Sequence, residues 1–361
     1  MRWSLKVGTF AGIGVHLHWT FLLFIGWVFY SHLGRAHDVS RALEGVGFVL
    51  ALFTCVVLHE YGHALTARRF GVGTRDITLL PIGGVARLER IPKKPMQEFW
   101  VAIAGPAVNV VIALTIFLVL VLLRNLNQLF EVQMFRGHFL VRLMWVNVFL
   151  ILFNLLPAFP MDGGRVLRAL LATQLGRPRA TAIAARVGQG MAILFALVGF
   201  FYNPMLMFIA LFVYLGAQAE AEAVATDAAV EGLRVEHAMM TRFRCLAPND
   251  TLEDATRELL AGAQQDFPVV HGGQVVGLLR RNDLVRGLTE SGPGTLVADA
   301  MWTDVDVIDA RKPLDEAFRL IQQGQCGTVP VTRDGSLVGL LTLENLGELV
   351  MVNTALRRDG S

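Results

Sequence analysis

Charge is scarce in this chain. Of its 361 residues only 17% are Asp, Glu, Lys or Arg, and 54% are hydrophobic; soluble domains carry about 25% charged residues. Mean hydropathy is +0.51. The apolar excess lies in the first 220 residues, where several runs are long enough to cross a bilayer, which excludes an ordinary soluble enzyme there. Cysteine is equally sparse. Cys55, Cys245 and Cys326 are widely spaced and odd in number, which excludes a disulfide framework and fits a reducing cytosolic face. The formal net charge is only +2, and no basic patch interleaved with aromatics occurs, so nucleic acid is not an expected partner. The first apolar run begins late and no small-residue cleavage site closes it, so a removable leader is not expected.

What is present is a set of apolar runs, six of which read as spans: about 18–30, 45–67, 99–123, 141–156, 180–199 and 201–219. The second contains Leu58-His59-Glu60-Tyr61-Gly62-His63. Two histidines four apart lie on one helix face, one turn above the other. That spacing lets both imidazoles reach one zinc ion and leaves Glu60 beside the metal as a general base. An ionisable cluster within an apolar run marks a functional site. Cys55, one turn before His59, is either a further ligand or a small packing residue. His16 and His18 flank Trp19 as interface residues.

Zinc needs a third protein ligand. The fourth span runs directly into Pro157-Ala158-Phe159-Pro160-Met161-Asp162-Gly163-Gly164, an irregular stretch with a single acid. Asp162 is the candidate ligand; the alternative is a helix N-cap for residues 163–174. Between the two candidate ligand regions, 70–90 carries β-favouring segments around Pro81-Ile82-Gly83-Gly84, which predicts a β-hairpin or re-entrant loop. Its free edge suits pairing with an extended peptide, the alternative being an interfacial linker. Residues 1–15 read as a short strand or loop on the membrane surface. In the third span, Gly105-Pro106-Ala107-Val108-Asn109 allows close helix approach, and Asn109 can hydrogen-bond across helices, as can Asn147 and Asn154 in the fourth.

Lys and Arg number seven in 68–98 and four in 157–182, against two in 31–45, three in 124–142 and none at the turn near Asn203. The positive-inside rule therefore predicts cytoplasmic N- and C-termini, with the 68–98 and Asp162 loops on the same side. His59 then lies about 20 Å down a hydrocarbon core about 30 Å thick. Asp162 arrives at the cytosolic end of a parallel span, so both halves of the site meet in the cytosolic third of the membrane.

Together these elements resemble the site-2 protease family of intramembrane zinc metalloproteases. The resemblance covers residues 1–220 and rests on three ordered motifs: His59-Glu60-x-x-His63, Gly105-Pro106-x-x-Asn109, and Asn154-x-x-Pro157-x-x-Pro160-x-Asp162-Gly163. It implies one zinc per chain held by His59, His63 and Asp162, with Glu60 as general base. Asn154 is implied to lie near the metal, holding substrate or the tetrahedral oxyanion. It also implies a membrane-protein substrate, cut in or beside a transmembrane segment near the cytosolic face.

The last third duplicates itself at an offset of 62: Ala238-Met239 recurs as Ala300-Met301, Pro268-Val269 as Pro330-Val331, and Gly277-Leu278-Leu279 as Gly339-Leu340-Leu341. Each copy reads as helix, strand, turn, strand, helix, and the pair resembles tandem CBS domains. That resemblance implies an adenosine-nucleotide site, with a hydroxyl residue followed by an acid. The first copy has Asp283 but Arg280 in the hydroxyl position; the second has Thr342 but Asn345 in the acid position. Arg280 suits phosphate; the alternative is a pair that dimerises or docks substrate. The expected architecture is a polytopic α-helical membrane protein of about six transmembrane helices with a membrane-associated β-hairpin, plus a soluble α/β tandem CBS module. Its divisions are 1–220 for the membrane domain, 221–234 for a helical connector, and 235–292 and 297–352 for the CBS domains. A homodimer through the CBS domains is a further expectation. The competing readings are a CBS-regulated transporter or channel, to which Pro, Gly and intramembrane acids also belong, and an inactive family scaffold.

Overall fold

The computed structural model describes residues 4–36, 38–81, 83–89, 92, 94–123, 139–230, 232–323 and 327–358. Cys326, Ile82 and the 124–138 part of the loop after the third span lie outside the described residues. The chain divides into two units, Met1–Val224 and Ala225–Ser361, taken in turn.

The first unit opens with β1 (Ser4–Phe10) and β2 (Ile13–His18), followed by α1 (Trp19–Ala36) and α2 (Val39–Arg69). Asp38 caps α2 by accepting from Ser40 N at 2.9 Å, and Arg68 and Arg69 occupy its last turn, where cations suit the helix dipole. Next come β3 (Thr74–Leu80), β4 (Gly83–Leu88), α3 (Pro95–Leu122), α4 (Phe139–Asn154), α5 (Asp162–Leu175), α6 (Arg177–Tyr202) and α7 (Pro204–Val230). Among the described residues four helices, α2, α3, α6 and α7, are long and apolar enough to span a membrane, and α1 and α4 are shorter apolar helices. The 16 residues of α4 rise about 24 Å, short of a hydrocarbon core about 30 Å thick. Leu114, Leu118, Phe200 and Phe208 are among the large apolar side chains left exposed, as lipid-facing helices require.

The hairpin expected at 70–90 is present, but as half of a larger sheet. β1 and β2 are antiparallel, β2 runs parallel to β3 with Val15 opposite Ile77, and β3 and β4 are antiparallel. The N-terminal segment expected as a short strand or loop is thus a hairpin of its own, turned at Ala11 and Gly12 with φ of 50° and 81°. Joining parallel strands requires a long crossover, here α1 and α2. Burial drives the merger, because Ile13 and Ile77 pack with Ala64 of α2. Polar anchors fix the hairpin to α2: Tyr61 Oη lies 3.1 Å from Phe10 O and 3.2 Å from Ile13 O, and Arg68 donates to Ala11 O at 2.8 Å.

The second unit holds α8 (Leu252–Ala261), β5 (Phe267–His271), β6 (Gln274–Leu279), α9 (Arg281–Glu290), α10 (Val297–Ala300), β7 (Ile308–Asp309), α11 (Leu314–Gln323), β8 (Thr328–Arg333), β9 (Ser336–Thr342) and α12 (Leu343–Arg358). The sequence offset of 62 returns as strand register: Pro268 pairs with Leu278, and Pro330 with Leu340. The copies exchange their opening segments. Val235 and Ala238 join the core of the second repeat, with Leu314 and Val331, while Val297 joins that of the first, with Leu252 and Val269. The exchange is sealed where strands carry glycine: a Cβ at Gly277 would meet Met301 Sδ at 2.4 Å, and one at Gly339 would meet Met239 Sδ at 2.6 Å.

Candidate metal centre

The membrane unit is built so that α2 and the start of α5 meet. Helix α2 carries His59 and His63 one turn apart, with ring centroids separated by 4.7 Å. The turn after α4 carries the chain back to Asp162, the first residue of α5. Two glycines permit this: a Cβ at Gly163 would lie 2.2 Å from Leu156 O, and one at Gly164 would lie 2.7 Å from Ala158 C. The N-cap position of α5 is Met161, whose side chain has no oxygen to cap with. The carboxylate of Asp162 turns to the histidines instead, so the N-cap reading is corrected.

The three side chains are buried. His59 Nε2 stands 3.1 Å from Asp162 Oδ2, His63 Nε2 stands 3.2 Å from the same oxygen, and the two nitrogens are 3.0 Å apart. An N–H points at one partner only, so hydrogen bonds cannot serve all three edges of this triangle, whereas a central cation can. Ligand atoms around a tetrahedral zinc, with bonds of about 2.0–2.1 Å, stand about 3.3 Å apart, so the donor set and its spacing fit zinc. Among the described residues, the group able to hold a metal is His59, His63 and Asp162. Cys55 is not part of it; its Sγ faces Asn147 Nδ2 at 3.5 Å.

The supports of the site come from α3, α5 and β4. His63 Nδ1 donates to Val101 O at 2.7 Å, which leaves Nε2 free to ligate. Gly105 lies directly against both imidazoles: a Cβ there would come within 2.2 Å of His63 Nε2 and 2.6 Å of His59 Nε2. At Gly62 a Cβ would meet Ala104 O at 2.7 Å, which brings α2 and α3 into backbone contact. Glu60 is half-buried and lies beside β4, where a Cβ on Gly84 would be 2.9 Å from its Cγ. Asn154 is the half-buried last residue of α4, at the head of the turn that delivers Asp162.

Sequence reasoning missed Arg168. This side chain is fully buried on α5. Its Nε donates to Glu98 Oε1 at 2.8 Å, its Nη2 bonds the same oxygen, its Nη1 reaches Glu220 Oε1 at 2.5 Å, and its guanidinium lies 5.0 Å from the Phe159 ring centroid. It therefore ties the helix that begins at Asp162 to the first turn of α3 and to α7. The only signal in the sequence was an arginine six residues beyond the acid, indistinguishable from a membrane-surface cation.

In the second unit a cleft of about 860 Å3 is lined by Arg242, Arg244, Asp266, Thr328, Thr342 and Asn345, among others. Thr342 Oγ1 donates to Asn345 Oδ1 at 2.8 Å, and Thr328 Oγ1 to Asp266 Oδ2 at 2.6 Å. Asp283 is elsewhere. It is buried and bonded by Arg280 at 2.5 Å and Arg286 at 2.6 Å, while Arg280 stacks 4.6 Å from the Trp302 ring centroid.

Comparison with known proteins finds relatives of both parts of the chain. The model of peptidase family M50 matches residues 47–137 and 127–198, and that of the CBS domain matches 235–290 and 297–351. Zinc metalloprotease MJ0392 of Methanocaldococcus jannaschii is 35% identical over 280 residues, 77% of this chain and 78% of that protein. Rip3 of Mycobacterium tuberculosis is 28% identical over 379 residues, 98% of this chain and 94% of its own length. Among solved structures, the site-2 protease from Methanocaldococcus jannaschii is 38% identical, covering 61% of this chain and 95% of its own, with a TM-score of 0.44.

Proposed function

The chain belongs to peptidase family M50, as a zinc metalloprotease of the site-2 type with tandem CBS domains, and from that membership we propose that it cuts a membrane-protein substrate in or beside a transmembrane segment, near the cytosolic face. The observation that carries the reading is the triangle of His59, His63 and Asp162, with edges of 3.0–3.2 Å. Zinc bound there acidifies a water and polarises the scissile carbonyl. Glu60, adjacent in sequence to His59, accepts the proton of the attacking water as the oxygen–carbon bond forms. It then delivers that proton to the amine nitrogen as the carbon–nitrogen bond breaks. Asn154, carried over by family resemblance, is assigned to the substrate carbonyl oxygen.

A substrate helix hides its carbonyls in its own hydrogen bonds, so it must be held extended. β4 is a terminal strand of its sheet and runs beside Glu60, which suits strand addition. The Lys and Arg distribution supports cytoplasmic termini. The interrepeat cleft has the volume for an adenosine nucleotide, with the Thr342 hydroxyl for ribose or phosphate and Arg242 and Arg244 as cations. Asp283, outside this cleft and bonded to Arg280 and Arg286, is assigned to orient those two arginines rather than to grip the ribose. Nucleotide binding would regulate cleavage if it favours one arrangement of the pair, and the CBS module is also the assigned surface for a homodimer.

Glu60→Gln tests the mechanism: membrane proteins cut in cells bearing the wild-type chain are expected to accumulate uncut with the variant, which keeps its zinc. Cleavage at the wild-type rate by Glu60→Gln would remove the proposal. Calorimetry with ATP, ADP and AMP at millimolar concentration tests the cleft, and absence of heat for all three would remove that part alone.

A further inference from the structure

The two histidines at the metal centre are supported unequally. His63 Nδ1 has Val101 O at 2.7 Å. His59 Nδ1 is buried and has no hydrogen-bond partner among the described residues. A metal-bound imidazole normally donates its second N–H to an acceptor, which fixes both tautomer and ring orientation.

Three other buried amide atoms have no partner among the described residues: Asn109 Nδ2, Asn109 Oδ1 and Asn147 Oδ1. Both residues are almost wholly enclosed, Asn109 at 1% and Asn147 at 0% exposure. The packing of α2 and α4 brings Asn147 to the turn of α2 that precedes His59. Asn147 Nδ2 lies 3.5 Å from Cys55 Sγ, and Cys55 stands one turn before His59 on the same face. The same Nδ2 donates to Leu143 O at 2.9 Å, so its hydrogens are engaged and Oδ1 is left to accept. On α3, the buried positions Val101, Gly105, Asn109 and Ala113 follow one another at four-residue steps. Gly105 abuts His59 and His63, while Ala113 packs with Met144 of α4. Asn109 falls between those two contacts, one turn along α3 from the glycine that abuts His59.

An acceptor on Asn147, which touches the residue one turn before His59, and a complete amide on Asn109, one turn from the glycine that abuts His59, thus join the unpartnered His59 Nδ1 as buried polar atoms without a protein partner among the described residues. Apolar close packing by itself would place leucine or alanine there. We propose that Asn109 and Asn147 are positioning residues for His59, whose Nδ1 proton is held by their amides through one buried water. A buried water takes two to four polar partners, and these unpartnered atoms offer that many. The tautomer so fixed presents the Nε2 lone pair to the metal. The proposal rests on the metal reading of the site.

The test uses the full-length protein in detergent, with zinc affinity measured by chelator competition and melting temperature measured on the zinc-free form. Asn109→Leu and Asn147→Leu are expected to weaken zinc binding about 10–100-fold. The zinc-free melting temperature should be unchanged or higher for Asn109→Leu, whose amide has no partner among the described residues, and little changed for Asn147→Leu, which gives up the bond to Leu143 O while removing an unpartnered buried oxygen. Asn147→Asp, which keeps an acceptor, should retain most of the affinity. Wild-type zinc affinity in a folded Asn109→Leu/Asn147→Leu variant would overturn the proposal while leaving the metal site intact, and no zinc binding by the wild-type chain would overturn both. Independently of any variant, 15N histidine spectra of the zinc-loaded wild type should show His59 protonated at Nδ1 with a slowly exchanging proton; a rapidly exchanging proton there would also overturn it.

Discussion

Gly105→Ala is the smallest change able to test whether the metal centre is as tightly enclosed as the packing indicates. The new methyl carbon would sit 2.2 Å from His63 Nε2, 2.5 Å from His63 Cε1 and 2.6 Å from His59 Nε2. Ordinary carbon–nitrogen contact begins near 3.4 Å, so one ring or the α3 backbone must retreat by about 1.2 Å, the difference between 3.4 and 2.2. Metal sites tolerate deviations of about 0.2 Å in ligand distance. Neither partner can retreat freely: His63 Nδ1 is anchored to Val101 O at 2.7 Å, and Gly62 already brings α2 onto Ala104 O. Overpacking of this kind costs about 1–3 kcal/mol in stability, and misplacing reacting groups by about 1 Å can cost roughly 100-fold in rate. The expected result is a folded protein with weakened zinc binding and cleavage reduced about 100-fold. Elemental analysis after dialysis against a chelator and single-turnover cleavage would measure these. Gly26→Ala, at a helical glycine with nothing within 4 Å of the added carbon, is the matched control and should change neither. A Gly105→Ala protein with wild-type zinc affinity and rate would refute the enclosure argument.

Three further outcomes follow from the same contacts. Asp162→Ala should lower zinc content, and in the wild type chelation should lower the melting temperature, since zinc at 100 times its dissociation constant adds about 2.7 kcal/mol of stability; a melting temperature indifferent to chelator would reject a folded-state metal site. Arg168→Met leaves buried Glu98 without its partner and should cost about 3–5 kcal/mol in denaturant unfolding, with much of the loss recovered in Glu98→Gln/Arg168→Met. Gly84→Val should crowd Glu60 and Val56, whose atoms lie 2.9 Å and 3.1 Å from the added carbon; the turnover rate should fall while zinc content is unchanged, and unchanged turnover would separate β4 from the catalytic base.

Much of the centre was readable in the chain because its signals are local. Histidines at 59 and 63 declare themselves through helix periodicity, and Asp162 through the prolines and glycines around it. The CBS pair was legible as a repeat, since a gap-free offset of 62 carries the same strand register into both copies. The helical spans were legible as apolar runs, although α1 and α4 proved shorter than the others. Less was visible in the first fifteen residues, whose strands join β3 only because the chain returns after two helices.

Residue type and spacing by themselves determined which groups could bind a metal, roughly where the chain enters the apolar phase, and that its last third is a duplicated module. These are properties of a few consecutive residues and of their preference for helix, strand or lipid. Tertiary structure alone decided that Asp162 stands 3.1 Å from an imidazole 103 positions earlier, that Gly105 is the wall of the site, and that Arg168 gathers Glu98 and Glu220 from 70 and 52 positions away. It also decided that each CBS repeat completes the other's core. Such contacts depend on how closely whole helices and strands can approach, and that is set by packing among distant residues.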